Sequence, residues 1–418
     1  MTKPLRPVHF TFTISLRRAI ALVTMLMLAA IAVPPAQAQT FKVIYNFTGG
    51  NDGGVPDGVL ATDRGGNLYG TASYGQYGLG MVFKLMKKNS SWLLAPLYPF
   101  MGGLDGDYGA RGVTIGPDGT LYVAVGYGGF GCGTVANLKP PPTRPATPLS
   151  PWNETVIHRF NDDQYGCTPG SAVTFDQSGN LYGVLDYSGP AGAGLVYELT
   201  PSGSGWTYMV LHDFSGEEGG QPYGAPVFDS AGNLYGADAF GGPNGNGTIF
   251  QLVPSGSGWT LNVLTDFPQK SINGYFPYGG VILDPAGNVY GTTFAGGADL
   301  GGTVFMLESG TWTFSVLYSF KGIAGGPVAA LTRDAAGNLY GVTGSGGAYQ
   351  LGNVFKLAPS NGGWVYTDFH DFTGGTDGGY PDGTLVLDAN GNIYGTANEG
   401  GTGTGCNHGC GVVFEITP

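Results

Sequence analysis

Short runs of alternating apolar and polar residues fill most of this chain, and the runs recur at a nearly fixed interval. The stretch Asp229-Ser230-Ala231-Gly232-Asn233-Leu234-Tyr235-Gly236 is one of seven copies, the others centring on Tyr69, Tyr122, Tyr182, Tyr290, Tyr340 and Tyr394. Three residues before every Tyr stands a Gly, and six before it an Asp in all copies but the second, which has Gly116. An Asp opening a tight turn accepts from backbone N–H groups two residues on, and a Gly with positive φ closes a short loop. Each copy therefore predicts a hairpin turn, with Leu-Tyr-Gly starting the strand that follows. The Asp residues are read as turn chemistry; at one register in separate units they do not form an acid–base pair.

Beyond each Tyr strand come a Gly-rich loop and then a Gly-x-Val-Phe-x-Leu variant, as at Gly80-Met81-Val82-Phe83-Lys84-Leu85 and Gly302-Thr303-Val304-Phe305-Met306-Leu307. A further strand follows, opened by Trp in six units: Trp92, Trp152, Trp206, Trp259, Trp312 and Trp364. A short apolar strand then leads to the next turn Asp. Apolar residues occupy both alternating faces of these strands, as in a sheet packed on both sides. Four strands per unit, with a Tyr-to-Tyr spacing of 50 to 60 residues, predict an all-β, seven-bladed β-propeller. A β-solenoid is the alternative, but its turns are shorter and need no Trp strand per unit.

The last unit stops at Val412-Val413-Phe414-Glu415-Ile416 without a fourth strand. The segment Phe41-Lys42-Val43-Ile44-Tyr45-Asn46-Phe47 matches the missing one in its Val-x-x-x-Phe end. The N-terminal strand is thus expected to complete the last blade and close the ring, removing an open sheet edge. A Pro-rich insertion, Lys139 to Pro145, reads as a stiff loop.

Residues 1–38 differ from all this. Lys3, Arg6, Arg17 and Arg18 precede an apolar run from Ala19 to Val33 and the small-residue site Ala36-Gln37-Ala38. That is the pattern of a signal peptide cleaved after Ala38, leaving residues 39–418 as one propeller domain, extracellular or periplasmic, with no integral membrane segment. The formal charge of −12 would become −16 on cleavage, since four positive charges leave and no negative ones. Such acidity disfavours nucleic-acid partners. A monomer is expected. In an exported chain the four cysteines read as disulfides: Cys406 with Cys410 locally, and Cys132 with Cys167 between blades.

Units of the form Asp-x-x-Gly-Asn-Leu-Tyr-Gly-Thr-Thr, Gly-Thr-Val-Phe-x-Leu and Val-Leu-x-x-Phe resemble the GloVer tandem repeat of "choice-of-anchor" bacterial proteins, over residues 41–418. The resemblance implies an exported protein and transfers no activity; members carry varied C-terminal anchors, and here the chain ends at Pro418 with no sorting tail. The turn and its strand are also similar, more distantly, to the propeller repeats of NHL and virginiamycin-lyase-like proteins.

The loops after each second strand share a face with those joining blades, and aromatics gather there: Tyr74, Tyr127, Tyr187, Phe240 and Phe294. With Asp186, Asp238, Asn398 and Glu399 nearby, they are the candidate ligand-binding residues, for aromatic faces stack on sugar rings. Acidic loop residues Asp52, Asp105, Asp162, Asp163, Glu217, Glu218 and Asp377 match no calcium loop, so no cofactor or metal is predicted, although Ca²⁺ is conceivable. His158, His212 and His370 lie at one register in different units, and no metalloprotease or Ser-hydrolase motif is present. The sequence reading is a non-catalytic binding or surface-interaction protein with a glycan or protein partner. Its alternatives are a propeller lyase or hydrolase, acting on a glycan or lactone through residues converging at the central channel, and a structural scaffold. Two or more titratable side chains within reach at that channel would favour the enzyme.

Overall fold

The repeat turn is built as a four-point clasp. Asp229 Oδ1 accepts from the N–H groups of Ala231 (2.9 Å) and Asn233 (2.9 Å), and Oδ2 from Asn233 Nδ2 (2.8 Å) and the Tyr235 hydroxyl (3.1 Å). The same bonds recur at Asp63, Asp176, Asp284 and Asp388. In the second copy Asp118 takes over, bonding the N–H and hydroxyl of Thr120. The Tyr at the end of the motif thus has two jobs: its hydroxyl locks its own turn, and its ring packs edge-on to the Trp of the next unit. Those ring pairs are Tyr69–Trp152, Tyr122–Trp206, Tyr182–Trp259, Tyr235–Trp312 and Tyr290–Trp364, with centroids 6.1–6.3 Å apart.

The computed structural model describes residues 39–417, apart from 90, 130, 143–150, 162–166, 204, 257, 269–271 and 323–324. The expected signal peptide, residues 1–38, and part of the Pro-rich insertion lie outside the described residues. Contacts gather Phe41–Thr417 into one compact unit. Every described element is a strand, and the neighbouring strands of each unit pair antiparallel. The fourth unit is representative: Gly220–Phe228, Leu234–Phe240, Thr248–Ser255 and Gly258–Asp266 pair in chain order. The first two units form an eight-stranded sheet, joined by a single parallel bridge between Val59 and Gly112.

The strand Thr40–Asn46 pairs with the last strand, Val412–Thr417, in the sheet of the seventh unit. Phe47 N donates to Gly411 O (3.2 Å), the same bond that Phe100, Phe160, Phe214, Phe267 and Phe372 make to the glycine opening their units' third strands. First and last repeats also meet directly: Tyr394 packs on Trp92 (5.8 Å), Lys87 pairs with Glu415 (3.3 Å), and Val55 N donates to Cys410 O (2.8 Å).

That last bond belongs to a series. Where a unit's first strand starts, a residue in the left-handed region precedes a Pro: Val55-Pro56 (φ 54°), Thr168-Pro169 (φ 70°), Gln221-Pro222 (φ 54°), Phe276-Pro277 (φ 60°) and Tyr380-Pro381 (φ 55°). Each donates its N–H to a carbonyl of the preceding unit: Cys410, Cys132, Ala193, Asn246 and Leu351 respectively. The Pro ring then lies over the glycine opening the preceding unit's third strand. A Cβ on Gly247 would stand 2.6 Å from Pro277 Cδ, and one on Gly411 2.5 Å from Pro56 Cδ. Between these clasps the core is a series of apolar clusters, each shared by adjacent units, with Phe83, Phe250, Phe305, Phe355 and Phe414 wholly buried.

Candidate functional site

The residue following each of these prolines does not enter the core. Asp57, Gly170, Tyr223, Tyr278 and Asp382 hold this register, Val328 after Pro327 and Arg111 take the corresponding places in the sixth and second units, and all line one cavity of about 330 Å³. All seven repeat units contribute to its wall. Glycine follows at Gly58, Gly112, Gly224, Gly279 and Gly383 because the first strands of neighbouring units nearly touch there. A Cβ on Gly383 would stand 2.4 Å from Gly58 O, and one on Gly58 2.6 Å from the Arg111 carbonyl carbon.

The wall has two unlike sides. On one, Asp382, Asp57 and Arg111 stand on successive units. Asp57 Oδ2 accepts from Ser73 Oγ (2.5 Å) and Asp382 Oδ2 from Asn398 Nδ2 (2.7 Å), each donor lying on the second strand of the same unit or just beyond it. The other oxygens, Asp57 Oδ1 and Asp382 Oδ1, are buried without a partner, as is Arg111 Nε. In the third unit Gly170 leaves the register without a side chain. Asp186 of the next strand fills the space: it is 1% exposed, a Cβ on Gly170 would stand 3.4 Å from Asp186 Cβ, and its Oδ1 has no partner. On the other side, Tyr223 and Tyr278 meet edge to face at 5.4 Å, and Tyr278 extends into a cluster with Phe240, Phe276 and Phe294.

Burial, and then the charge of Asp382, push Asp57 up to about 7, against the pull of the Ser73 hydrogen bond and Arg111. Asp186 rises to about 6 through burial, with Arg111 opposing, and burial also raises Asp382. Tyr223 is pushed up to about 12 by burial and the neighbouring Asp186. Among the described residues Arg111 forms no ion pair, so the guanidinium acts on three carboxyls at longer range.

The residues singled out from sequence are spread around this cavity rather than gathered in it. Tyr74 and Tyr127 are about half exposed on the loop face. Tyr187, equally exposed, is electrostatically close to Tyr223 and Tyr278, which puts it at the rim. Phe240 and Phe294 support Tyr278 from behind. Asp238 is wholly buried with Thr248 (2.8 Å), and burial holds it well above the carboxylate range. Glu399 lies 3.5 Å from His408 beside the Cys406–Cys410 disulfide. Cys132 is buried and no described cysteine is free; the Cys167 side chain lies outside the described residues.

Four of the acidic loop residues are tied to the register that holds the histidines, while Asp162 and Asp163 lie outside the described residues. Asp377 accepts from Thr373 N (2.9 Å) and contacts His370 Nε2 (3.0 Å), and Glu218 binds Ser215 N (3.0 Å) and His212 (3.3 Å). Tyr45 and Tyr98 hold Asp52 and Asp105 from the same position, at 2.9 Å each. His158 stacks on Tyr208 instead (4.5 Å), and burial lowers it to about 4. Among the described residues no group of three or more His, Cys, Asp or Glu could hold a metal.

What sequence reasoning missed is the register after the proline. The signal was present as Pro56-Asp57-Gly58, Pro222-Tyr223-Gly224, Pro277-Tyr278-Gly279 (with Tyr278 and Gly279 in direct succession) and Pro381-Asp382-Gly383, one copy in each of four units. In a chain so rich in glycine it was absorbed into the short strand leading to the turn.

An all-β, propeller-like fold with a repeat of this form defines the class. The chain belongs to the Gloeobacter/Verrucomicrobia repeat family (Gleo_Verruco), whose model matches residues 145–330 and 260–418. Comparison with curated proteins finds no match. Among solved structures, the chain is similar to the extracellular domain of a protein described as a one-component system from B. thetaiotaomicron. The identity is 11% and the TM-score 0.55, over 90% of this chain and 40% of that one, so the chain spans less than half of that protein's length. A protein described as a gluconolactonase matches at 12% identity and a TM-score of 0.46, over 93% and 94% of the two chains. One described as a glucose dehydrogenase from Thermus thermophilus matches at 16% and 0.46, over 91% and 100%. Among the described residues no helix is long and apolar enough to cross a membrane.

Proposed function

We propose that this chain is an exported seven-bladed β-propeller, closed by the strand Thr40–Asn46, that binds a small polyhydroxylated ligand, a sugar or sugar derivative, in the cavity shared by its repeats. One observation carries the reading: buried oxygens of Asp57 and Asp382 that find no partner among the described residues, in a cavity whose other side is built on Tyr223 and Tyr278. Carboxylates accept from vicinal hydroxyls while an aromatic face covers the apolar side of a sugar ring. A cavity of about 330 Å³ lies at the small end of ligand sites. The local disulfide and the extracellular setting of the similar one-component-system domain support export.

Titration calorimetry against a monosaccharide and oligosaccharide panel tests this. Binding should be lost in Tyr278→Ala and kept in Tyr74→Ala. The reverse pattern would place the ligand on the exposed loop aromatics and refute the cavity.

A second reading has its own support, since two titratable side chains, Asp57 and Asp382, converge in the cavity as the enzyme alternative requires. Asp57 is held protonated to near neutrality beside Asp382, which is how a general acid is prepared. On this reading the cavity hydrolyses a glycan or lactone: water adds to the carbon whose C–O bond breaks and releases a proton to solvent, and Asp57 gives its proton to the leaving oxygen. Product release from the same panel, abolished in Asp57→Asn with binding intact, would mark it as an enzyme.

A further inference from the structure

We infer that the cavity selects a ligand carrying an ammonium group among its hydroxyls, an amino sugar, over the corresponding neutral sugar. The inference rests on the binding reading above and deepens it. Its first basis is the charge census of the site. Asp57 and Asp382 share the lining with a single cation, Arg111, and among the described residues that lining contains no Lys and no second Arg; Asp186, close enough to Arg111 to feel its charge, adds a third acid behind the wall.

Arg111 leaves these acids unsatisfied. Among the described residues it makes no ion pair, and Asp57 Oδ1 and Asp382 Oδ1, both on cavity-lining residues, find no hydrogen-bond donor. Buried acceptors gain from partners, so these two oxygens favour a ligand that brings donors. An ammonium supplies three donors and a compensating charge, and its bonds to carboxylates are roughly twice as strong as neutral ones.

The second basis is the opposite side. The electron-rich faces of Tyr223 and Tyr278 attract a cation as well as an apolar ring face, whereas a ligand carboxylate in the cavity would meet Asp57 and Asp382. The mutual repulsion of Asp57 and Asp382 has the same sense, since a cation between them relieves it. The overall formal charge of −12 steers cations toward the molecule.

The test is titration of the full exported chain with glucosamine, glucose, N-acetylglucosamine and glucuronic acid, at low and at 0.5 M salt. Glucosamine should bind about tenfold or more tightly than the two neutral sugars, with the gap narrowing in salt. In Asp382→Asn, with folding checked by thermal melting, the ratio of glucosamine to glucose affinity should shrink to about threefold or less, whatever happens to the two affinities themselves. The four wild-type titrations decide the question even if the variant does not fold. Equal binding of glucosamine and glucose, or tighter binding of the acetylated or acidic sugar, overturns the inference and leaves the sugar-binding reading standing. Binding of none of the four overturns that reading, and this inference with it.

Discussion

Single carboxylates in this protein are pushed in opposite directions by their surroundings, and the two groups predict opposite pH responses. At the repeat turns, burial raises the acids but is outweighed by hydrogen bonds from the Asn and Tyr side chains and the backbone. Asp63, Asp229, Asp284, Asp334 and Asp388 are therefore held below the usual carboxylate range. Their stabilisation is complete above the unfolded value, near 4, and is lost as pH falls through the folded values. Acid melts should show Tm falling steeply below about pH 4. Asp229→Ala should cost about 1–3 kcal/mol at pH 7, because it strips four donors of their acceptor. An unchanged Tm in that variant would mean the clasp is decorative.

Asp57 behaves the other way. Its folded value, about 7, lies above the unfolded one, so its contribution is complete below the unfolded value and is lost as pH rises toward 7. Asp57→Asn should leave stability at pH 4 nearly unchanged and raise it at pH 8 by about 1–3 kcal/mol, since no buried charge is then required. Chemical denaturation at the two pH values measures this. Equal effects at both would remove the raised acid from the site.

Among the elements, the join between consecutive units depends on a strained residue and a glycine. Val55 and Thr168 are β-branched yet left-handed, a conformation that costs of order 1–3 kcal/mol and persists only where surroundings enforce it. The enforcement is visible: the N–H bond to the previous unit and the Pro seated on its glycine. Gly247→Ala should destabilise by about 2 kcal/mol or more, because φ is +97° and the new Cβ would meet Asp238 O at 2.4 Å. Gly232→Ala, also at positive φ but with nothing within 4 Å, should cost about 1 kcal/mol. Comparing the two Tm values isolates the cost of crowding at the strand opening, where the next unit's Pro is seated.

The four-strand unit, its turn and the Tyr and Trp positions were legible in the sequence because each follows from local spacing, and local spacing survives in one dimension. The matching of the N-terminal segment to the last unit's missing strand was legible for the same reason. The site was not. Asp57, Arg111, Asp186 and Asp382 lie tens to hundreds of residues apart, and only the stacking of units makes them neighbours. The exposed aromatics drew attention because they are conspicuous, whereas Asp57 sits in a Pro-Asp-Gly that reads as another turn. The shared register of His212 and His370 in different units already argued against a common metal, but their bonds to Glu218 and Asp377 depend on loop folding that spacing does not show.

For the molecule as a whole, the joint between its first and last repeats carries more than its size suggests. Removing residues 39–48 would strip the last unit of its fourth strand, expose the edge of Val412–Thr417 and uncover Phe414. The truncated chain should fail to fold or should aggregate, and size-exclusion chromatography with circular dichroism would report it. A monomeric truncation melting at the native temperature would refute a ring closed by this strand.

That joint also fixes an order of events. The strand Thr40–Asn46 is made about 370 residues before its partner Val412–Thr417. At typical synthesis rates of about 5–20 residues per second, the early strand waits roughly 20–70 s for the edge it belongs to. Contacts of this sequence separation are slow to form and leave β-edges open meanwhile. The earlier strand is therefore free for wrong pairings until its six-residue partner emerges, and that pairing is what ends the exposure.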